Sequence, residues 1–309
     1  MLHRKLVLTI AGMALALGIT RADAEITASA EVYRLQQGST FQQGCFPPCL
    51  CPIEQEASVR GTFAVRSTGF DGLFNTYAIT DVNWTVSVGN LEFRITGSGT
   101  YQVGGEFALL HRLKLDLQVG DGPLQHFDGG LVPGGSGFPN IEITVSINRQ
   151  RCFDRVIVLK AAPVPPDEIH DYVLAPQTTL EIGCFDPCLC PIVRRPVVGT
   201  FSLVPISHSS WFPEWAVVNV EWQALDQDPS TGPPSLGIKG FGTYRFGGEF
   251  ALEHQLSLDL SFDSVGLAHV DSDLVIGGSN FPAIDIGISM NGRVCADQVF
   301  DIHAVPRDE

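Results

Sequence analysis

Basic residues are scarce in this sequence, which contains 19 lysines and arginines against 34 aspartates and glutamates. The formal net charge of −15 gives a surface that repels phosphate backbones, so nucleic acid is not an expected partner. Tryptophan and tyrosine are also few, at 4 and 5 residues. These are too few for the two aromatic girdles of a membrane-spanning β-barrel, which argues against a porin-like alternative.

Long apolar runs are absent except near the start of the chain. Residues 6–19 form an apolar run of 14 residues after Arg4 and Lys5, and this run is too short to span a bilayer comfortably. Ala22-Asp23-Ala24 then has the small-x-small pattern of a cleavage site. We therefore interpret residues 1–24 as a signal peptide. We expect a secreted or periplasmic protein with no membrane span after signal removal.

Strong catalytic motifs are also missing. The sequence contains no G-x-S-x-G nucleophile elbow, no P-loop and no H-E-x-x-H zinc motif. Its glycine-rich segments, such as VPGGSGFP, lack the strand-to-helix context of a nucleotide-binding loop and are typical of turns. We therefore predict no cofactor and expect a protein that is not an enzyme.

The chain contains two copies of one sequence pattern. The segment GTYQVGGEFALLHRLKLDL at residues 99–117 returns as GTYRFGGEFALEHQLSLDL at residues 242–260. Trp84 returns in the same way as Trp222. Internal repetition over most of a chain indicates tandem domains of one fold.

The domain boundaries follow from the composition between the copies. The segment AAPVPPDE is rich in proline and is typical of a stiff linker. We predict a first domain at residues 25–162, a linker at 163–167 and a second domain at 168–309.

Strand patterns dominate each copy. In IEITVSI, residues 141–147, apolar and polar side chains alternate strictly, which predicts a strand with one dry and one wet face. About eight such segments occur in each copy, and none outside the signal peptide has a persuasive helical period. The fold class is therefore all-β, with two tandem homologous domains. Each domain is an antiparallel sandwich or an up-and-down barrel of about eight strands.

Eight cysteines are distributed equally between the copies, and an exported chain favours disulfides. Each copy has a C-x3-C-x-C loop and one distant cysteine; the full set is Cys45, Cys49, Cys51, Cys152, Cys184, Cys188, Cys190 and Cys295. Four thiolates could instead bind zinc, but the familiar spacing of two intervening residues is absent. Pairing of Cys49 with Cys51 is the least favourable geometry. We therefore expect one bridge inside each loop and one long bridge that staples the loop to the sheet.

Two histidines occupy equivalent positions in the repeated hairpin. A three-residue turn keeps the apolar residues of this hairpin on one face, and it places Gly99 opposite His111 and Gly242 opposite His254. A small residue beside an inward histidine has two interpretations. The imidazole is either a buried, hydrogen-bonded core group, or it points into a ligand-binding cavity.

A second recurring pair is His126-x-Asp128, which returns as His269-x-Asp271. Two histidines and a carboxylate are a ligand set for non-haem iron, so we considered a site shared with His111. A four-residue loop would place His126 opposite Leu117, about 20 Å along the strand from His111. Metal ligands must converge within about 2–2.5 Å of one ion, so no metal site is predicted. Asp116 and Asp259 are expected to face outward into solvent.

Three functions remain open. The first is an exported structural or interaction protein without catalytic activity. The second is a small-ligand-binding barrel with a pocket at His111 or His254, and the third is a metal-dependent enzyme that uses the repeated histidines and aspartates. We rank them in that order. The partner would be a protein, a glycan or a small molecule of unknown identity.

Overall fold

The structure is a computed structural model that describes residues 29–49, 54–89, 91–207, 212–226, 235–249, 251–263, 265–277 and 281–307. The proposed signal peptide lies outside these residues. Within them, no helix has the length and hydropathy needed to cross a membrane.

The first sheet contains ten strands. Their bounds are β1 Glu31–Leu35, β2 Thr40–Phe46, β3 Glu54–Phe70, β4 Phe74–Val88, β5 Leu91–Gly104, β6 Leu110–Val119, β7 Leu124–Asp128, β8 Val132–Pro133, β9 Ile141–Ser146 and β10 Cys152–Pro163.

The second sheet repeats this order after a short 3-10 turn at Pro166–Glu168. Its strands are β11 His170–Leu174, β12 Thr179–Phe185, β13 Val193–Ser207, β14 Glu214–Ala224, β15 Leu236–Gly247, β16 Glu253–Phe262, β17 Val265–Asp271, β18 Val275–Ile276, β19 Ile284–Ser289 and β20 Cys295–Pro306. The domain boundaries stay a prediction, although β10 extends to Pro163 and so includes the first residue of the predicted linker.

Each sheet closes on itself. Strands β2 to β7, β9 and β10 pair antiparallel in chain order, and β10 pairs back with β2. Strand β1 occupies the same position in the ring as β2, because it also pairs with β10 and β3. The second sheet has the same pairings, with β12 and β20 closing the ring. The predicted all-β fold is confirmed, and of its two alternatives the structure shows the eight-position up-and-down barrel. We refer to the two sheets as barrel 1 and barrel 2.

Each barrel has one weak seam. Strands β7 and β9 share a single residue pair, Asp128 with Ser146. Strands β17 and β19 likewise share only Asp271 with Ser289. Beyond these pairs the strands separate, and a polar cleft opens at the same place in both barrels.

Side chains fill both barrel interiors. The alternating residues of every strand point inward, and they form one buried cluster in each barrel. In barrel 1 the largest fully buried members include Tyr33, Trp84 and Phe127, and in barrel 2 they include Tyr172 and Phe300. An interior packed in this way is a core rather than a ligand cavity.

Disulfides hold one end of each barrel, as predicted. The bonded pairs are Cys49–Cys152, Cys184–Cys190 and Cys188–Cys295. Cys45 is also disulfide-bonded, while Cys51 lies outside the described residues. Barrel 2 therefore has both expected bridges, one within the loop and one that spans 107 residues.

In each barrel a buried carboxylate holds the turn next to the disulfide that joins distant parts of the sequence. Asp154 is 2% exposed and accepts hydrogen bonds from the backbone N–H groups of Ile147, Asn148, Gln150 and Arg155. Asp297 does the same in barrel 2, with Met290, Asn291, Arg293 and Gln298. These bonds order the β9–β10 and β19–β20 turns, so the cysteine that follows each turn is held in place.

Candidate functional site

His111 lies inside barrel 1 and is only 4% exposed. Its Nδ1 atom and the Tyr101 hydroxyl share a hydrogen bond of 3.1 Å, and the two rings meet edge to face. Burial lowers the pKa of His111 and raises the pKa of Tyr101 to about 12, so both groups are uncharged at neutral pH. His111 is therefore a hydrogen-bonded core residue.

The glycine that gives His111 its space is Gly134, not Gly99. A Cβ atom on Gly134 would lie 2.5 Å from Nε2 of His111. Gly99 instead pairs with Leu115, and His111 pairs with Val103. The prediction that Gly99 faces His111 is therefore wrong.

A longer loop explains this error. The last pair of the β5–β6 hairpin is Gly104 with Leu110, which leaves a loop of residues 105–109 instead of three residues. Alternation fixes only which residues share a face, and a loop two residues longer preserves both faces. The second copy has the same shift: Gly242 pairs with Leu258, and His254 pairs with Phe246.

His254 is the counterpart of His111 in barrel 2, and its surroundings differ. It is 2% exposed, and the Tyr244 hydroxyl beside it is buried with no hydrogen-bond partner among the described residues. Burial lowers the pKa of His254, and the negative charge of Asp285 opposes this shift. His254 lines the seam cleft of barrel 2, which has a volume of about 420 Å³ and also contains Asp271 and Asp285.

We expect both buried histidines to destabilise the fold at acidic pH. Their pKa values are lowered on folding, so the unfolded chain binds more protons below its ordinary histidine pKa of about 6.5. The contribution of these histidines to the free energy of unfolding is therefore fully present above about pH 6.5, and it is lost as the pH decreases below that value. His111→Gln should reduce the drop in thermal unfolding midpoint between about pH 7.5 and about pH 5.

The matched control for this prediction is His170→Gln, because His170 is exposed on β11 and forms no ion pair with the described residues. This variant should keep the drop of the wild-type protein. An equal drop in His111→Gln and in wild type would contradict the prediction.

His126 lies on the outer surface of barrel 1. Its Nδ1 atom is 2.8 Å from Oδ1 of Asp116, the residue that faces it on β6. The prediction that His126 faces Leu117 is therefore wrong by one residue. The connection at residues 120–123 has the predicted four residues, but Leu124 pairs with Gln118 instead of Val119, which shifts the register by one residue.

Asp128 does not join the histidines. Its carboxylate accepts a hydrogen bond of 3.0 Å from Nε of Arg112 and a second from the same guanidinium. The outward Asp128 and the inward His111 lie on opposite faces of the sheet, so these residues do not form one site. In the described part of the chain, no group of three or more His, Cys, Asp or Glu side chains is arranged to hold a metal ion.

The counterpart of His126 in barrel 2 is His269, which lies at the contact with barrel 1. Nδ1 of His269 is 2.7 Å from Oδ1 of Asp259, and Nη2 of Arg94 donates to Oδ2 of Asp259 at 2.9 Å. Burial alone would raise the pKa of Asp259, but the hydrogen bond from His269 and the charge of Arg94 outweigh it and hold that pKa below its usual range. Asp259 is only 8% exposed, so the expectation that it is solvated is wrong. His269 Nε2 also lies 3.8 Å from Asp271 Oδ2.

Four further charged residues form a closed network between the barrels, which we call the junction tetrad: Arg60 and Glu92 from barrel 1, and Glu214 and Arg245 from barrel 2. Nε of Arg60 donates to Glu214 at 2.7 Å, and Nη2 of Arg245 lies 3.1 Å from the same carboxylate. Glu92 accepts from both arginines, at 2.5 Å from Arg60 and 2.6 Å from Arg245. Burial alone would raise the pKa of Glu92, but the arginines outweigh it and lower that pKa.

Apolar and backbone contacts accompany the tetrad. Nδ2 of Asn83 in barrel 1 donates to the carbonyl of Gly242 in barrel 2 at 2.6 Å. A separate buried cluster spans the junction and contains Val32, Val164, Val204, Ala216 and Val218. The mutual orientation of the barrels is therefore fixed by ion pairs, a hydrogen bond and apolar packing together.

A cavity of about 620 Å³ lies beside the tetrad at this junction. Its lining comes from both barrels: Ser58, Arg60, Glu92, Ser207, Phe212, Glu214, Arg245, Gln255 and Leu274. Sequence reasoning did not identify this site. The available signal was a difference between the copies, because Glu214 and Arg245 occupy positions where the first copy has Thr76 and Gln102.

Large apolar side chains are exposed at the end of barrel 1 opposite its disulfide. Phe107 is 94% exposed and Phe70 is 63% exposed, and with Leu73, Leu109 and Leu131 they form a set that we call the rim. Phe70 is the last residue of β3, and the other four residues lie in the connections after β3, β5 and β7. Backbone hydrogen bonds run from Gly105 N–H to Leu73 O and from Gly134 N–H, just after β8, to Leu109 O. The rim residues therefore lie on neighbouring loops and at the end of β3.

Comparison of the chain with protein-family models, with curated proteins and with solved structures finds no significant match.

Proposed function

We propose that this chain is an exported interaction protein without catalytic activity, in which the two barrels act as one rigid unit. The rim of barrel 1 is its contact surface for a protein partner. The observation that carries this proposal is the exposure of five large apolar side chains at one end of barrel 1. Exposed apolar groups of this kind are typical of interaction sites, because partner binding removes them from water.

Two further observations support the proposal. Both barrel interiors are filled by side chains, so binding chemistry must use loops and outer faces. The junction contacts hold the barrels in one arrangement, and a rigid binding unit loses little conformational entropy on association. A secreted or periplasmic location is supported by the disulfides, since such bonds persist in oxidising compartments.

A photo-crosslinking experiment tests the rim. A benzophenone side chain at Phe107, in the chain produced by its native host, should give a discrete adduct of higher mass. Phe70→Ser in the same chain should reduce the yield, because it removes apolar contact area. The matched control places the probe at Phe153, which is 60% exposed near the disulfide of barrel 1. An equal adduct from Phe153, or none from Phe107, would overturn the proposal.

A second candidate function is small-ligand binding in the seam cleft of barrel 2. It is favoured by one observation, the buried Tyr244 hydroxyl without a hydrogen-bond partner beside His254, which lines the cleft. In barrel 1 the equivalent tyrosine and histidine satisfy each other. We rank this function second because His254 is only 2% exposed.

A further inference from the structure

The junction cavity has the properties of a ligand site, and it is separate from the rim. We propose that it binds a neutral, polyhydroxylated ligand of the oligosaccharide class. Its volume of about 620 Å³ lies within the range of about 300–1,000 Å³ that small-molecule sites occupy. Such sites occur preferentially where two domains meet, as here.

The charges of the lining favour a neutral ligand. The tetrad contributes two guanidinium groups and two carboxylates, and each guanidinium contacts both carboxylates. A ligand with a net charge would find no net opposite charge here, because the two guanidinium and two carboxylate charges cancel. The Glu214 side chain is only 3% exposed, so its displacement would leave two arginines poorly paired in a partly buried position.

The tetrad nevertheless retains hydrogen-bonding capacity. A guanidinium carries five N–H donors, and Arg60 directs three of its nitrogens to Glu214, Ser87 and Glu92. Nη1 of Arg245 has no hydrogen-bond partner among the residues that the structure describes. Glu92 also has lone pairs beyond those used by the arginines. These donors and acceptors are held in place by the ion pairs, and hydroxyl groups can both donate to and accept from them.

The remaining lining suits the apolar face of a sugar ring. Phe212 and Leu274 lie on the barrel 2 side, and Leu274 is 52% exposed. Gln255 and Ser58 add an amide and a hydroxyl group. An aromatic surface for C–H groups, next to fixed planar polar side chains for hydroxyl groups, matches the two-sided chemistry of a pyranose.

Calorimetric titration of the full chain with cellobiose, maltose, laminaribiose and chitobiose tests the proposal. At least one of these neutral disaccharides should bind saturably, with a Kd of about 1 mM or tighter. Glucuronic acid and glucosamine, which add one charge of either sign to a sugar ring, should bind more weakly than glucose.

Two variants locate the site. Ser58→Trp places a large side chain in the cavity without removing a tetrad member, and it should weaken binding at least about tenfold. Ser98→Trp is the matched control, since Ser98 is exposed on β5 and does not line the cavity, and it should bind as wild type does. Phe212→Ala should also weaken binding while circular dichroism stays unchanged. The proposal is overturned if no disaccharide binds, if both tryptophan variants bind equally, or if the charged sugars bind best.

Discussion

Removal of the Cys188–Cys295 disulfide is expected to lower the free energy of unfolding of barrel 2 by about 4–5 kcal/mol. The two cysteines are 107 residues apart, so the bridge restricts a very long loop in the unfolded chain. The chain-entropy relation assigns about 4.7 kcal/mol to loops of about 100 residues. The experiment uses the double variant Cys188→Ala, Cys295→Ala.

The same barrel contains the matched control. Cys184 and Cys190 are 6 residues apart, and their double alanine variant should lose only about 2–3 kcal/mol by the same relation. Guanidinium unfolding followed by tryptophan fluorescence measures both losses. A Trp84→Phe background removes the one tryptophan of barrel 1, so the signal reports on barrel 2. Equal losses from the long and the short bridge would contradict the prediction.

Replacement of Glu214 with glutamine is expected to separate the two barrels. The Glu214 side chain is 3% exposed and contacts both arginines of the junction tetrad, so its loss leaves Arg60 and Arg245 partly buried with reduced pairing. Removal of one partner of a buried ion pair typically costs about 3–5 kcal/mol, because a charge remains without compensation. Small-angle scattering should show a larger maximum dimension, and proteolysis should become faster between residues 163 and 167.

A surface ion pair provides the control for this variant. Glu221 lies 3.8 Å from Lys239, and its side chain is 69% exposed, so Glu221→Gln should change stability by about 0–1 kcal/mol. Arg60→Gln added to Glu214→Gln should restore part of the loss, because it leaves one arginine, Arg245, to pair with Glu92. The prediction fails if Glu214→Gln and Glu221→Gln behave alike.

Much of the fold could be predicted because the sequence is repeated. Two copies with the same alternation, as in IEITVSI and IDIGISM, left few alternatives to two antiparallel β domains. Strand β2 is not among the segments that alternation predicts, because Thr40–Phe46 contains Gln42, Gln43 and Gly44 in place of an alternating apolar set. Its strand conformation depends on pairing with β3 and β10, which no local pattern reports.

The candidate site was less predictable, since it depends on register and on contacts between the copies. Alternation identified His111 as inward, but it could not set the length of the loop that follows Gly104. The partner of Asp259 is Arg94, which lies 165 residues earlier in the chain. Such contacts are decided by the docking of two finished barrels, and only differences between otherwise similar copies indicate them.

Only barrel 2 has the apolar surface that packs against barrel 1. Val204 and Val218 belong to the junction cluster, and the equivalent positions of the first copy are Arg66 and Thr80. The arginines that barrel 1 contributes to the contact are likewise absent from barrel 2. Arg60 and Arg94 correspond to two uncharged residues, Val198 and Gly237.

Each barrel therefore carries one half of a head-to-tail contact, and neither carries both halves. Head-to-tail contacts that do not close into a ring propagate into filaments when every unit has both surfaces. Here the contact is complete with two barrels. The sequence differences between the copies prevent a third barrel from adding at this interface, and so prevent fibre growth there.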